Sequence, residues 1–223
     1  LWILLEKATK VLLYFAMSVL LARFLEAKEF GIYNLIISIL IIGMTISSMG
    51  LNSILVKEFV RYRFEKIFSS SFIVRLLGSI IVAALTFVLI HIWMRDVIDW
   101  QLSIIVSIAI TFSLVRIADL FFESQLQSLV IAKYRIFGYI SGATLKIILL
   151  FSGLGYEALI IAHIIELFII FLFGFYYLKK LKNINFCFSK NTFLYSKKLL
   201  KKGAPLLLSA MIVIDRKSTR LNS

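Results

Sequence analysis

The sequence has very few of the residues that build disulfides and metal sites. Cys187 is the only cysteine among 223 residues, which excludes an intrachain disulfide and any site made of several thiolates. The two histidines, His91 and His163, are far apart and have no ligand-type partners at useful spacing. We therefore predict neither a metal site nor a cofactor.

Charged residues are also scarce, at 17% of the chain, whereas a soluble domain has about a quarter. Hydrophobic residues make up 61% of the chain, and the mean hydropathy is +0.97. The charges are clustered, and apolar runs of about 20 residues, long enough to cross roughly 30 Å of hydrocarbon, separate the clusters. These runs lack the alternation of a transmembrane barrel. The sequence therefore predicts an all-α, polytopic membrane protein.

Six segments are long and apolar enough to be transmembrane helices, and a seventh begins near the end of the chain. The six predicted segments are Trp2–Phe24, Gly31–Met49, Phe72–Met94, Gln101–Phe122, Ile136–Leu154 and Ala158–Leu178. The seventh opens with Gly203-Ala204-Pro205, where proline is tolerated in a first helical turn. The predicted organisation is a six-helix transmembrane bundle over 1–180, a cytoplasmic amphipathic linker over 181–202, the truncated start of a seventh helix over 203–214 and a non-matching polar tail over 215–223.

The two ends of the sequence indicate truncation. The chain begins with Leu1 rather than methionine, so we expect an incomplete N-terminus. The seventh segment stops at Ile214, so we expect that the chain is truncated there or that the polar tail is foreign to the rest of the protein.

Basic residues outnumber acidic ones by 25 to 12, and their distribution predicts the orientation in the membrane. In a soluble protein this excess would suggest nucleic-acid binding, but in a membrane protein it is typical of cytoplasmic loops, so we expect no nucleic-acid partner. The loops after the even-numbered segments contain fifteen lysines and arginines, and those after the odd-numbered segments contain three. The N-terminus and the basic loops are therefore predicted to be cytoplasmic, with membrane lipids as partners.

The linker has an amphipathic pattern. At 100° per residue, Phe193, Tyr195, Leu199 and Leu200 fall on one half of a helix, and four lysines of 197–202 fall on the other. This pattern favours an interfacial helix on the membrane surface, and a solvated basic loop is the alternative.

Ionisable residues inside the predicted spans are costly and are candidates for function. Lys146 and Glu166 are nearly equidistant from the turn that joins the fifth and sixth segments, so we expect an ion pair there, with His163 one helical turn from Glu166. This pair is either part of a cationic binding surface or a structural contact between two helices.

Two further pairs have helical spacing. Glu6 and Lys10 are four residues apart, which is a pairing geometry on a helix. Arg116 and Asp119 are three apart and are expected to be a self-satisfied pair rather than a substrate site. Arg75 lies in the first turn of the third predicted span and is expected to extend to the membrane interface. An ion-coupling role for Glu166 or Asp119 stays open.

Nine short stretches, in order and spacing, resemble the polysaccharide (O-antigen) flippase family of the multidrug/oligosaccharidyl-lipid/polysaccharide exporter superfamily. They are Leu5-Glu6-Lys7, Leu21-Ala22-Arg23-Phe24-Leu25, Glu29-Phe30-Gly31-Ile32-Tyr33, Met49-Gly50-Leu51-Asn52-Ser53, Val56-Lys57-Glu58, Phe121-Phe122-Glu123-Ser124, Lys133-Tyr134, Leu145-Lys146 and Gly203-Ala204-Pro205-Leu206-Leu207-Leu208-Ser209. The resemblance covers residues 1 to about 214, which corresponds to the N-terminal half of such a protein.

The resemblance implies two helical bundles facing a central cavity, and transport of an undecaprenyl-pyrophosphate-linked oligosaccharide by alternating access. It further implies location in the bacterial cytoplasmic membrane, other polysaccharide-assembly proteins as partners, and no covalent catalysis. Lys7 matches the charged first helix of the family and is the first choice for a contact with the carrier phosphate, with Lys10 and Lys146 as further candidates. Lys7 and Lys10 could instead extend to the lipid headgroups.

Three other functions are weighed against the flippase. A multidrug or lipid II exporter of the same superfamily is the closest alternative. A membrane-bound polysaccharide polymerase is disfavoured because the predicted outer loops are short and no two carboxylates have catalytic spacing. A membrane scaffold without transport activity is also disfavoured, because that function does not explain why costly charges are kept within the spans.

Overall fold

The computed structural model describes residues 1–62, 64–95, 98–182 and 192–203, and these residues form helices and no strand. The helices are α1 (Trp2–Phe24), α2 (Ala27–Ser47), α3 (Asn52–Arg61), α4 (Phe64–Trp93), α5 (Trp100–Ala109), α6 (Arg116–Ser124), α7 (Ser128–Phe151), α8 (Gly155–Leu181) and α9 (192–203). A 3₁₀ segment, Ile110–Val115, joins α5 to α6, so that Trp100–Ser124 forms a single span.

Five of these segments are long and apolar enough to cross a membrane, and they coincide with the second to sixth predicted spans. The predicted first span is also helical, because α1 has 23 residues and a length of about 35 Å. However, Glu6, Lys7 and Lys10 make α1 too polar to qualify by composition. It packs along α7, so it belongs to the same bundle. The predicted all-α, polytopic membrane architecture is confirmed.

The helices extend further at one end of the bundle than the sequence indicates. The region predicted as a polar connection, 50–71, contains α3 and the first eight residues of α4. Ser69, Ser70 and Ser71 are fully buried there, and the Ser71 hydroxyl donates to the Phe68 carbonyl at 3.0 Å. Serine can satisfy its hydroxyl inside a helix in this way, so the polar stretch is not a loop.

The outer surface of the bundle is apolar, as contact with lipid requires. Phe15, Leu12 and Ile92 are exposed on the described helices, and such large apolar faces are rare on soluble monomers. Trp93 and Trp100, at the α4–α5 connection, are 83% and 60% exposed, positions that suit interfacial anchors.

Helix α9 packs on the corner formed by α3 and α4. The Tyr195 hydroxyl and the Lys202 ammonium donate to the Glu58 carboxylate at 2.5 and 2.9 Å, and Leu199 is buried in the protein core. Tyr195 and Leu199, from the predicted apolar half of the linker helix, therefore pack against protein, and the interfacial position of this helix stays a prediction. Phe193 remains exposed on the free side of α9.

The contacts of α9 also show that two basic regions share one end of the bundle. The Lys66 ammonium lies 4.8 Å from the centre of the Tyr195 ring, so the α3–α4 corner and the linker are on the same side, as the charge distribution predicts. The remainder of the linker, 183–191, and nearly all of the predicted seventh span and the tail, 204–223, lie outside the described residues.

The α7–α8 hairpin is packed closely through glycine. A Cβ atom added at Gly142 would lie 2.6 Å from the Glu166 Cβ and 2.5 Å from its Cγ, whereas one added at Gly31 would meet nothing within 4 Å. Small residues allow helix backbones to approach in this way within membranes. Gly142 therefore fixes the distance at which Glu166 faces α7.

Replacement of Gly142 by alanine should lower the stability of the bundle by about 1–3 kcal/mol, because the added methyl group overpacks the helix contact. Gly31→Ala is the matched control, since alanine favours the helix there without a clash. Thermal unfolding in detergent measures both variants. Equal midpoints for Gly142→Ala and Gly31→Ala would contradict the close packing.

Protonation of Glu58 should release α9. Partial burial raises the pKa of this carboxyl, but the hydrogen bonds from Tyr195 and Lys202 lower it by more, so the net pKa lies below its ordinary value. A lowered pKa stabilises the docked state above the unfolded pKa of about 4.3, and this contribution is lost as the pH falls through the folded value. Glu58→Gln should have the same effect at neutral pH.

Amide hydrogen exchange over 192–203 is the measurement for this docking. We expect faster exchange in Glu58→Gln than in the matched control Glu65→Gln, which removes an exposed carboxylate from the start of α4. Unchanged exchange in Glu58→Gln would show that the carboxylate does not hold α9.

Candidate functional site

The predicted contact between α7 and α8 is present. The Lys146 ammonium lies 2.6 Å from Oε2 of Glu166 and 3.1 Å from Nδ1 of His163, and all three side chains are buried. Lysine has only donors, so its contact with His163 favours the tautomer in which Nδ1 accepts. The Tyr14 hydroxyl on α1 donates to the other oxygen of Glu166 at 2.8 Å, so the cluster joins three helices.

The predicted pair of Glu6 with Lys10 is wrong. Glu6 instead accepts hydrogen bonds from the Tyr139 hydroxyl at 2.9 Å and the Arg135 guanidinium at 3.5 Å, both on α7. Lys10 has no described ion pair, and its ammonium lies 5.4 Å from the centre of the Tyr14 ring and 5.8 Å from that of Tyr139. The helical spacing brings Glu6 and Lys10 near each other, but the donors that contact the carboxylate come from α7.

The predicted pair of Arg116 with Asp119 is present and is part of a larger cluster. Arg116 lies 3.3 Å from Asp119 and 3.2 Å from Glu123. Asp119 is completely buried, and it also accepts from Arg135 at 2.5 Å and from the Tyr134 hydroxyl. The pair is therefore not self-contained, because α7 contributes two of its donors.

A cavity of about 400 Å³ lies beside these clusters. Its polar wall contains five residues with basic side chains, and no carboxylate of the described residues lines it. The basic residues are Lys10, Arg75, Arg116, Arg135 and His163. Facing them are apolar side chains of α2, among them Ile37, Leu40 and Met44. The cavity suits a ligand that has both an anionic group and a less polar part.

Two of the cations in this wall have no carboxylate partner in the described structure. Arg116 and Arg135 are paired with acidic residues, whereas Lys10 contacts aromatic rings and Arg75 contacts only Asn52, at 2.5 Å. The cavity therefore carries an excess of positive charge. Because a low-dielectric wall strengthens this field, an anion is attracted to the cavity.

The structure places the other candidate lysines outside the cavity wall. Lys7 is exposed on α1 and does not line the cavity, whereas Lys10 does. Lys146 is buried and engaged with Glu166. Lys10 is thus the candidate lysine that faces the cavity.

Sequence reasoning missed Arg75 and Arg135. The expectation that Arg75 extends to the interface is wrong, because α4 starts at Phe64 and Arg75 is its twelfth residue, about three turns inside the helix and 1% exposed. The sequence places Arg135 in a loop, but α7 begins at Ser128 and contains it. Both helices begin earlier in the chain than the sequence predicts, and these earlier starts place Arg75 and Arg135 inside helices.

The Lys146–Glu166 pair should behave as a buried ion pair. Lys146→Met alone should cost about 3–5 kcal/mol of stability, because it leaves a buried carboxylate without its counter-charge, whereas Lys146→Met with Glu166→Gln should recover most of that loss. Thermal unfolding of the single and double variants measures this. The exposed residue Lys133 on the same helix provides the control, Lys133→Met. A double variant no more stable than Lys146→Met would refute the coupling.

Comparison with known proteins places this bundle in a family. The sequence profile of the polysaccharide biosynthesis protein family matches residues 20–216, which include α2 to α9. No curated protein and no solved structure matches the chain significantly. Since the matched region covers most of the chain, this polytopic membrane protein belongs to the polysaccharide biosynthesis protein family.

Proposed function

We propose that the protein is a flippase that moves an undecaprenyl-pyrophosphate-linked oligosaccharide across the bacterial cytoplasmic membrane during synthesis of a surface polysaccharide such as O-antigen. The observation that carries this proposal is the cavity with two unpaired cations, Lys10 and Arg75. Their charge complements that of a pyrophosphate, and the family membership supports a role in polysaccharide synthesis. The N-terminus and the basic loops are cytoplasmic in this proposal.

Transport by alternating access requires no covalent step, so the proposal excludes enzymatic activity. The three buried carboxylates near the cavity support this view, because Glu6, Asp119 and Glu166 all accept hydrogen bonds from cations and tyrosines. A carboxylate held in this way is a poor general base. The resemblance to flippases also suggests other polysaccharide-assembly proteins as partners.

The charge of the cavity distinguishes between cargoes of the same superfamily. A cationic wall repels the cationic compounds that many multidrug exporters remove, whereas it attracts lipid II, which shares the undecaprenyl pyrophosphate carrier. A lipid-linked precursor of peptidoglycan therefore remains the second candidate cargo. Flipping assays with both lipid-linked substrates separate the two.

Lys10→Gln should reduce surface polysaccharide by roughly tenfold, because a charge-assisted contact contributes about 1.5–3 kcal/mol. Cells that express the protein are scored for surface polysaccharide and for accumulation of the lipid-linked precursor. Lys7→Gln is the matched control, with the same charge change on the same helix but outside the cavity.

Both proteins should reach the membrane in equal amounts. If Lys10→Gln and Lys7→Gln had equal effects, or if only Lys7→Gln impaired export, the cavity would not be the cargo site.

A further inference from the structure

Arg75 is the least satisfied charged group in the described structure. Its side chain is 1% exposed, and its Nη2 donates to Oδ1 of Asn52 at 2.5 Å. The Nε and Nη1 atoms have no hydrogen-bond partner and are the only such buried side-chain atoms among the described residues. A guanidinium has five N–H donors, so most of its capacity is unused.

A buried, unpaired guanidinium is expensive, so its position calls for a partner. Removal of an ion from water costs several kcal/mol even after relaxation, and only a well-placed counter-charge offsets that cost. Asp119 does not provide it, because that carboxylate is occupied by Arg116, Arg135 and Tyr134. Ser47 and Ser113, in the same region, bond each other at 2.9 Å.

The cavity lies directly beside this guanidinium. Arg75 and Asn52 both line it, and they come from different elements, the middle of α4 and the first residue of α3. Asn52 uses its carbonyl oxygen for Arg75, which leaves its amide N–H groups available to a ligand. A guanidinium and an amide side by side present several donors to one group of oxygen atoms.

We propose that Arg75 and Asn52 form an oxyanion-binding subsite in the wall of the cavity, with phosphate-type groups as its ligands. The planar guanidinium can bind two oxygen atoms of such a group at once, which a lysine cannot do. Burial of Nε and Nη1 lowers the dielectric constant around the guanidinium, which strengthens its attraction for an anion in the cavity. This subsite rests on the proposed function, in which Lys10 supplies the second unpaired charge of the same cavity.

Asn52→Asp tests the subsite without removing the arginine. A carboxylate at this position would pair with Arg75 and neutralise it, so the variant should bind oxyanions poorly but should unfold at a higher temperature without ligand. Arg75→Gln should bind poorly as well. Arg23→Gln removes an exposed charge outside the cavity and serves as the control.

The measurement is calorimetric titration of inorganic pyrophosphate into the whole chain in nanodiscs of neutral phosphatidylcholine. We expect at least tenfold weaker binding by Asn52→Asp and Arg75→Gln than by the wild type, and unchanged binding by Arg23→Gln. In nanodiscs with anionic phosphatidylglycerol, weaker pyrophosphate binding by the wild type would identify a lipid headgroup as a competing oxyanion. Unchanged pyrophosphate binding in the anionic nanodiscs would favour a free or carrier-linked phosphate as the ligand. Either result is consistent with an oxyanion subsite at Arg75 and Asn52.

The outcomes separate the subsite from the function on which it rests. If Asn52→Asp gained stability and still bound pyrophosphate like the wild type, the subsite would be refuted. If Lys10→Gln lost binding while both subsite variants kept it, the subsite would fall and the flippase proposal would stand. If the wild type bound no pyrophosphate in neutral nanodiscs, both would fall.

Discussion

Hydrocarbon cannot solvate an ion, so each charge within a membrane protein depends on the groups placed around it. In this bundle, α7 supplies those groups to three other helices. Its Tyr139 and Arg135 donate to Glu6 on α1, and its Tyr134 and Arg135 donate to Asp119 on α6. Its Lys146 donates to Glu166 on α8. These contacts therefore connect α1, α6 and α8 to α7.

The same arrangement determines the charge of the cavity. Because α7 satisfies the buried carboxylates from one side, none of them faces the cavity, and the cations that remain unpaired do. Tyr14 extends the arrangement, since it binds Glu166 and also lies beneath the Lys10 ammonium. The positive wall is thus a consequence of how the bundle is held together, and α2 completes the cavity with apolar side chains. Such a surface matches a cargo that combines a pyrophosphate with less polar groups.

Some of these contacts could be predicted because they depend on local geometry. Lys146 and Glu166 lie on two helices joined by a tight turn at Gly153 and Gly155, so counting residues from the turn places them at the same depth. The pairing of Arg116 with Asp119 follows likewise from helical spacing. Composition and span length predicted the membrane architecture for the same reason, since the bilayer allows little besides helices.

Other contacts depend on helices far apart in the sequence and could not be predicted. Glu6 binds Arg135, 129 residues away, in preference to the nearby Lys10. The sequence places Arg75 at the membrane interface because the serine-rich start of α4 looks like a loop. In the structure this segment is helical and is buried by side chains of α3 and α6. The docking of α9 on Glu58 likewise joins residues more than 130 positions apart. In each case the sequence shows the charged residue but not the distant side chain that it contacts.

The sign of the charge in the cavity is the property on which the account depends most directly. A single cysteine can be placed at Thr45, an exposed residue of the cavity wall, after Cys187 is changed to serine. Its reaction rates with an anionic and a cationic methanethiosulfonate reagent are then compared, each relative to a small thiol in solution. The account predicts a relative preference for the anionic reagent of about tenfold or more, decreasing as salt is added. Equal relative rates, or a preference for the cationic reagent, would contradict it.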